Sequence, residues 1–261
     1  MRKSDTFMIA IMLFLTAPLV GLAAETTGLE VMENVYNRTV GPRMSAELVM
    51  TITNSRGATR ERSIVQYSLE GAESDKKIMF FTAPADVRDT SFMTWSWDDG
   101  RDDDQWIYLP ALRRVKRISS DSKNDSFMGS DFTYDDLGER HPSEDRHTII
   151  REETVDGKAA YVVESIPVSP GDAFSRTVTW INKENWVGLK KEYYDGKNRL
   201  FKTLIIDNYE KIEGYWVVTD MTMKDLDRES STRLAMNDVS FSVDLEEDFF
   251  SERQMKIGLR R

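Results

Sequence analysis

From Met44 onward the chain alternates apolar and polar positions with a period of two. Met44, Ala46, Leu48, Met50 and Ile52 interleave with Ser45, Glu47, Thr51 and Thr53, the spacing of a strand with one buried face. The turn Asn54-Ser55-Arg56-Gly57 leads to a second strand ending at Leu69, and the pattern predicts further strands near 78–82, 91–97, 105–109 and 112–118. After a polar stretch it resumes near 147–155, 159–167, 175–182, 187–194, 199–209, 215–225 and 232–243. The connections Val155-Asp156-Gly157-Lys158, Asn182-Lys183-Glu184-Asn185, Asp195-Gly196-Lys197-Asn198 and Glu213-Gly214 have the chemistry of tight hairpins. Successive hairpins make an antiparallel meander, and a sheet of this many strands curls or closes. The predicted fold class is mainly β, in one curved antiparallel sheet.

Two segments depart from that period. Leu29, Met32, Tyr36 and Val40 recur at helical spacing within 27–40, and Thr27 with Glu30 fits a capping box. One amphipathic helix therefore precedes the sheet. At the other end, 245–261 carries Phe249, Phe250, Met255, Ile257 and Leu259 before Arg260-Arg261, which reads as a final helix or edge segment packed on the sheet.

The N-terminus adds a destination. Arg2 and Lys3 precede an apolar run from Phe7 to Leu22 that ends in Ala23 and Ala24, the order of a secretory signal peptide. Thr16 and Pro18 interrupt the run, which leaves it short for a membrane span of about 20 residues. The expectation is a signal peptide over 1–24, cleaved near Ala24, and a single exported domain over 25–261 in the periplasm. The chain contains no cysteine, so its core must hold it together without disulfides. Without 1–24 it carries 33 Lys+Arg against 44 Asp+Glu, a formal charge of −11, and such a surface repels nucleic acid.

Two stretches stand out as candidate functional chemistry. Phe92-Met93-Thr94-Trp95-Ser96-Trp97, an acidic turn, and Gln105-Trp106-Ile107-Tyr108-Leu109-Pro110 place three of the six tryptophans in one hairpin. Core packing and an aromatic wall of a ligand cavity are both open readings of it. Arg113-Arg114-Val115-Lys116-Arg117-Ile118 is a basic cluster in an acidic chain, followed by a polar loop from Ser119 to Ser130 that carries Phe127 and Met128. That loop is either a cover or partner surface, or a surface stretch pinned by two apolar anchors.

Catalytic chemistry finds little purchase. There is no cysteine nucleophile, and the two histidines, His141 and His147, are not at ligand spacing on a helical turn. The acidic turn Asp98 to Asp104 lacks the EF-hand pattern, and no pair of carboxylates is singled out. No catalytic residue, metal or cofactor is expected.

Phe92 through Trp97, the run from Trp106 to Val115 and Gly129-Ser130-Asp131-Phe132-Thr133-Tyr134-Asp135-Asp136-Leu137 resemble the signature blocks of periplasmic outer-membrane lipoprotein-sorting proteins, relatives of the LolA/LolB carriers. The resemblance runs from the first helix to about Phe250. It implies a half-open β-barrel whose apolar concave face, covered by helices, binds lipid or the acyl chains of lipoproteins. It also implies a companion role to inner-membrane exporters of the RND or MMPL type. On this reading Met93, Trp95, Trp97, Trp106, Tyr108, Leu109, Phe127, Met128 and Phe132 are candidate cavity residues, and Arg113, Arg114, Lys116 and Arg117 are candidates for a partner or a lipid headgroup. An adaptor or envelope-stress sensor of the same fold, acting through protein contacts, is the alternative.

Overall fold

The structure is a computed structural model that describes residues 26–259; the expected signal peptide and the terminal Arg260-Arg261 lie outside the described residues. Thirteen strands form one antiparallel sheet. The first six are β1 (Arg43–Thr53), β2 (Thr59–Leu69), β3 (Ser74–Ala83), β4 (Ser91–Trp97), β5 (Asp104–Leu109) and β6 (Arg114–Arg117). The other seven are β7 (Asp145–Val155), β8 (Lys158–Pro167), β9 (Arg176–Asn182), β10 (Gly188–Tyr194), β11 (Leu200–Ile212), β12 (Tyr215–Asp225) and β13 (Ser230–Ser240). Every strand expected from the alternation is present. Local turn chemistry explains the tight hairpins: between β7 and β8, Asp156 and Gly157 both adopt positive φ, +48° and +78°, which matches the turn to the strand twist.

The spatial order is β6-β5-β4-β3-β2-β1-β13-β12-β11-β10-β9-β8-β7. Each neighbour is consecutive in sequence except β1 and β13, which pair from Glu47↔Asn237 to Thr53↔Ser231. The two sheet edges, β6 and β7, are therefore joined by the segment 118–144. That segment is folded as four short 3-10 turns and lies across one face of the sheet, the inner face. Its Phe127, Phe132 and Leu137 pack with Leu48 and Met50 of β1, Phe81 of β3, Phe92 of β4, Ile107 of β5, Met223 of β12 and Leu234 of β13. A single cluster can unite strands so far apart in the order only if the sheet curves toward it. Bulges in β3, β7, β10, β11 and β13 help to bend it.

Helix α1 (Gly28–Tyr36) covers the rest of the inner face, against β7 to β9. Thr27 accepts the Glu30 N–H at 3.2 Å and Glu30 returns the contact to the Thr27 N–H at 2.7 Å, the expected capping box. Its buried face is Gly28, Val31, Met32 and Val35, with Val31 wedged on Val163 and Ile181. This corrects the expected stripe, since Leu29 and Val40 are exposed and the helix ends at Tyr36. Close approach sets the rotation: a Cβ on Gly28 would stand 2.6 Å from the His147 backbone, so only glycine lets the helix sit there.

The outer face has its own cover. The chain leaving β13 passes over β2 to β6 and ends in helix α2 (Glu252–Ile257), burying Leu245, Phe250 and Met255 against Leu69, Ile78, Phe80 and Met93. The C-terminal stretch thus packs as a final helix, as the pattern predicted.

Candidate functional site

Between the inner face, the crossing segment and the chain just after α1 lies a cavity of about 310 Å³. Its walls come from alternate positions of the central strands: Met44 and Leu48 on β1, Met79 on β3, Leu204 on β11, Val217, Met221 and Met223 on β12, and Leu234 and Met236 on β13. Phe132 and Leu137 of the crossing segment close one side, with Tyr193 of β10. Five wall residues are methionines, unbranched and polarisable side chains that repack around irregular shapes. The rim, where β1 and β12 begin, is more exposed and polar: Arg38, Val40, Glu70, Asp75, Lys77, Glu139 and Trp216.

The polar groups beneath the crossing segment are paired. Asp136, one of its residues, takes an ion pair from Lys202, the Tyr193 hydroxyl at 3.2 Å, and the Thr133 N–H and hydroxyl at 2.7 and 2.8 Å. Burial, then Asp136, holds the Tyr193 phenol well above its ordinary pKa, so it remains a donor. Burial also lowers the Lys191 ammonium. Near the rim, burial pushes the carboxyls of Asp75 and Asp103 up to about 6. The inner face is thus an apolar hollow in which Asp136 is satisfied from within, while Thr94 Oγ1, Gln105 Oε1 and Arg38 Nε are buried without a hydrogen-bond partner.

The sequence-based cavity residues divide between two faces. Phe132 lines the cavity. Phe127 and Met128 lie in the adjoining inner core, where Phe127 is wholly buried and touches Phe81, Phe92 and Tyr134, while Leu109 packs at its edge. Met93, Trp95, Trp106 and Tyr108 face outward instead, into the cluster under the C-terminal stretch, and Trp97 sits beside Trp95 at 6.0 Å. Period two is the reason: Phe92, Thr94 and Ser96 take the inner face, which leaves Met93, Trp95 and Trp97 the outer one. None of the hairpin's tryptophans therefore lines the inner cavity, to which the hairpin contributes Ser96.

The basic cluster lies on edge strand β6 and the turn before it. Arg113, Arg114 and Lys116 are exposed, and Arg117 is ion-paired with Asp104. His141 and His147 have structural partners, Ser143 for the first and Ser165 and the Pro142 carbonyl for the second. Asp103 of the acidic turn points inward, accepting from the Ser96 hydroxyl at 3.0 Å and the Glu139 N–H at 2.7 Å. Among the described residues no group of three His, Cys, Asp or Glu side chains is arranged to hold a metal ion. Sequence reasoning missed Arg38 and the methionine walls; the alternation that places the latter was visible, but not which alternating face would stay hollow.

A family model described as that of an uncharacterized protein matches residues 73–257. A crystal structure of a domain named for outer membrane lipoprotein sorting, from Vibrio parahaemolyticus, is 35% identical at a TM-score of 0.82 over 88% of this chain and 98% of that one. The chain belongs to the same family as this outer-membrane lipoprotein-sorting domain. A DUF1329 family protein from Desulfovibrio piger is similar to the same extent, with 32% identity, a TM-score of 0.81, and coverage of 87% and 97%. A LolA superfamily protein from Nitrosomonas europaea shares the family fold at 20% identity and a TM-score of 0.67, over 88% of this chain and 100% of that one. No curated protein matches the chain.

Proposed function

We propose that this LolA-like chain is a non-catalytic periplasmic carrier, which holds lipid or the acyl chains of lipoproteins in its inner cavity on the way to the outer membrane. Residues 1–24 are its export signal and 25–261 its single carrier domain. The observation that carries the reading is the methionine-walled hollow on the inner face, open at a polar rim. Each methylene moved from water into such a wall gains roughly 0.8 kcal/mol, which a free acyl chain in the periplasm forgoes. The names of its relatives, lipoprotein sorting above all, support the same reading.

Transfer requires the hollow to open. The crossing segment 118–144, which closes one side of the hollow, is the cover that has to shift, and its tethers to the sheet are side-chain contacts and not strand pairing. The exposed Arg113, Arg114 and Lys116 offer an edge-strand contact for a donor or acceptor protein, of which an RND or MMPL-type transporter of the inner membrane is the expected donor. The test is native mass spectrometry, with lipid extraction, of residues 25–261 purified from the periplasm without detergent. A stoichiometric lipid establishes the carrier. An empty protein that also refuses a fluorescent fatty acid rules it out and leaves the adaptor.

A further inference from the structure

Of the cations around the cavity, Arg38 and Lys77 both lack an ion pair among the described residues, but only Arg38 has a buried donor without a partner. Lys76 reaches Glu247 at 2.6 Å and Lys202 is paired with Asp136. Arg38 has no carboxylate partner among the described residues. Its Nη1 donates to the Trp216 carbonyl at 2.6 Å, which fixes the guanidinium, while its Nε is buried and donates to nothing.

Charge around the rim is divided. Tyr36 feels the acidic side: burial first, then Glu139, Asp98, Asp75 and Asp103, push its hydroxyl up to about 12. The guanidinium of Arg38 is held below its ordinary range by burial. A buried guanidinium with an idle donor is unfavourable in an empty protein. The same group becomes favourable when an anion arrives, because charge-assisted hydrogen bonds from a planar fork are short and strong.

We propose that Arg38 receives the anionic headgroup of the cargo, a carboxylate or phosphate oxygen, so that the carried lipid is an acyl chain ending in an anion. This rests on the carrier reading and narrows it to a ligand class. The chain enters the methionine-walled hollow and the anion stays at the rim, bound to Nε and the free edge of the guanidinium, while the Trp216 carbonyl keeps the fork in place.

The experiment uses the delipidated mature protein, residues 25–261, and calorimetric titration with dodecanoate, dodecyl phosphate, dodecanol and inorganic phosphate. Wild type should bind the two anionic chains about tenfold more tightly than dodecanol, the ratio expected of one charge-assisted hydrogen-bonding group. Arg38→Gln should bring the anionic chains down to the level of dodecanol and leave dodecanol binding unchanged, which also reports that the variant is folded. Arg38→Lys, which keeps the charge, should retain part of the preference. Anionic chains bound equally by wild type and Arg38→Gln overturn the assignment, as does inorganic phosphate bound as tightly as dodecyl phosphate. A wild type that prefers neither anion to the alcohol overturns it while leaving the carrier reading intact; one that binds no chain at all overturns both.

Discussion

Asp131 and Thr232 hold the crossing segment to the middle of the sheet by a reciprocal pair of hydrogen bonds. The Thr232 hydroxyl donates to the Asp131 carboxylate at 2.7 Å and accepts the Asp131 N–H at 2.9 Å. Ser230 and Arg228 complete the carboxylate's shell. Asp131 lies about midway along the segment that joins the two edge strands, so its carboxylate, together with that of Asp136 on Lys202, sets how the segment spans the inner face. Replacing Asp131 by Asn leaves at least one of these buried donors unmatched. Asp131→Asn should therefore lower unfolding stability by about 2–3 kcal/mol, read from urea denaturation. Hydrogen exchange should rise within 118–144 before it rises in β1 or β13.

The cavity itself can be filled. Met221 is half-buried and lines the hollow from β12, with room beside it. Met221→Trp places a bulkier, rigid side chain there at a packing cost of about 1–3 kcal/mol. Uptake of a fluorescent fatty acid should fall at least about tenfold, the consequence of losing two or so methylenes' worth of burial, in a protein whose circular dichroism is unchanged. Undiminished uptake would place the chain elsewhere on the molecule.

The outer face gives the complementary control. Phe250 is 1% exposed and packs with Met93 and its neighbours beneath the C-terminal stretch, away from the hollow. Phe250→Ala should cost about 3–5 kcal/mol of stability and leave the dissociation constant for the fatty acid unchanged. A variant that stays as stable as wild type would mean that the tail is only loosely docked, and one that loses binding would tie the tail to the cavity.

The contrast between Met221 and Phe250 also marks how far the sequence can be read. Strands were legible because Met44, Ala46, Leu48 and Met50 obey a period that burial on one face imposes, and Asp156-Gly157 has a conformation only certain residues adopt readily. The face of the hairpin 92–109 was not legible, because both of its sides are apolar. Phe92 and Ile107 look inward, Met93 and Trp106 outward, and what decides is a tail contributed more than a hundred residues later by Leu245, Phe250 and Met255. The rotation of α1 escaped for a related reason, since it depends on the backbone of His147 meeting Gly28. Arg38 carries no local signal at all: its significance lies in what is missing around it.

Acidity offers a last test, because buried carboxyls near the rim are held protonated to unusually high pH. Burial raises both Asp75 and Asp103 from 3.8 to about 6. A carboxyl whose pKa is higher folded than unfolded makes the folded state bind more protons between those two values. Stability therefore rises as pH falls from 7 through 6 toward 4 on account of these groups, the reverse of the ordinary salt-bridged carboxylate. Groups with the opposite shift, such as Asp195 and Asp227, which hydrogen bonds to the Arg199 backbone and side chain respectively hold below their usual range, take effect only at pH values below that window. Asp103→Asn keeps an acceptor for Ser96 and the Glu139 N–H but cannot ionise. The variant should be more stable than wild type at pH 7, with the difference shrinking as the pH approaches 5, measured as the shift of the urea midpoint at each pH. A difference that does not narrow across that interval would show that Asp103 ionises normally in the folded protein and that its inward position is not dry.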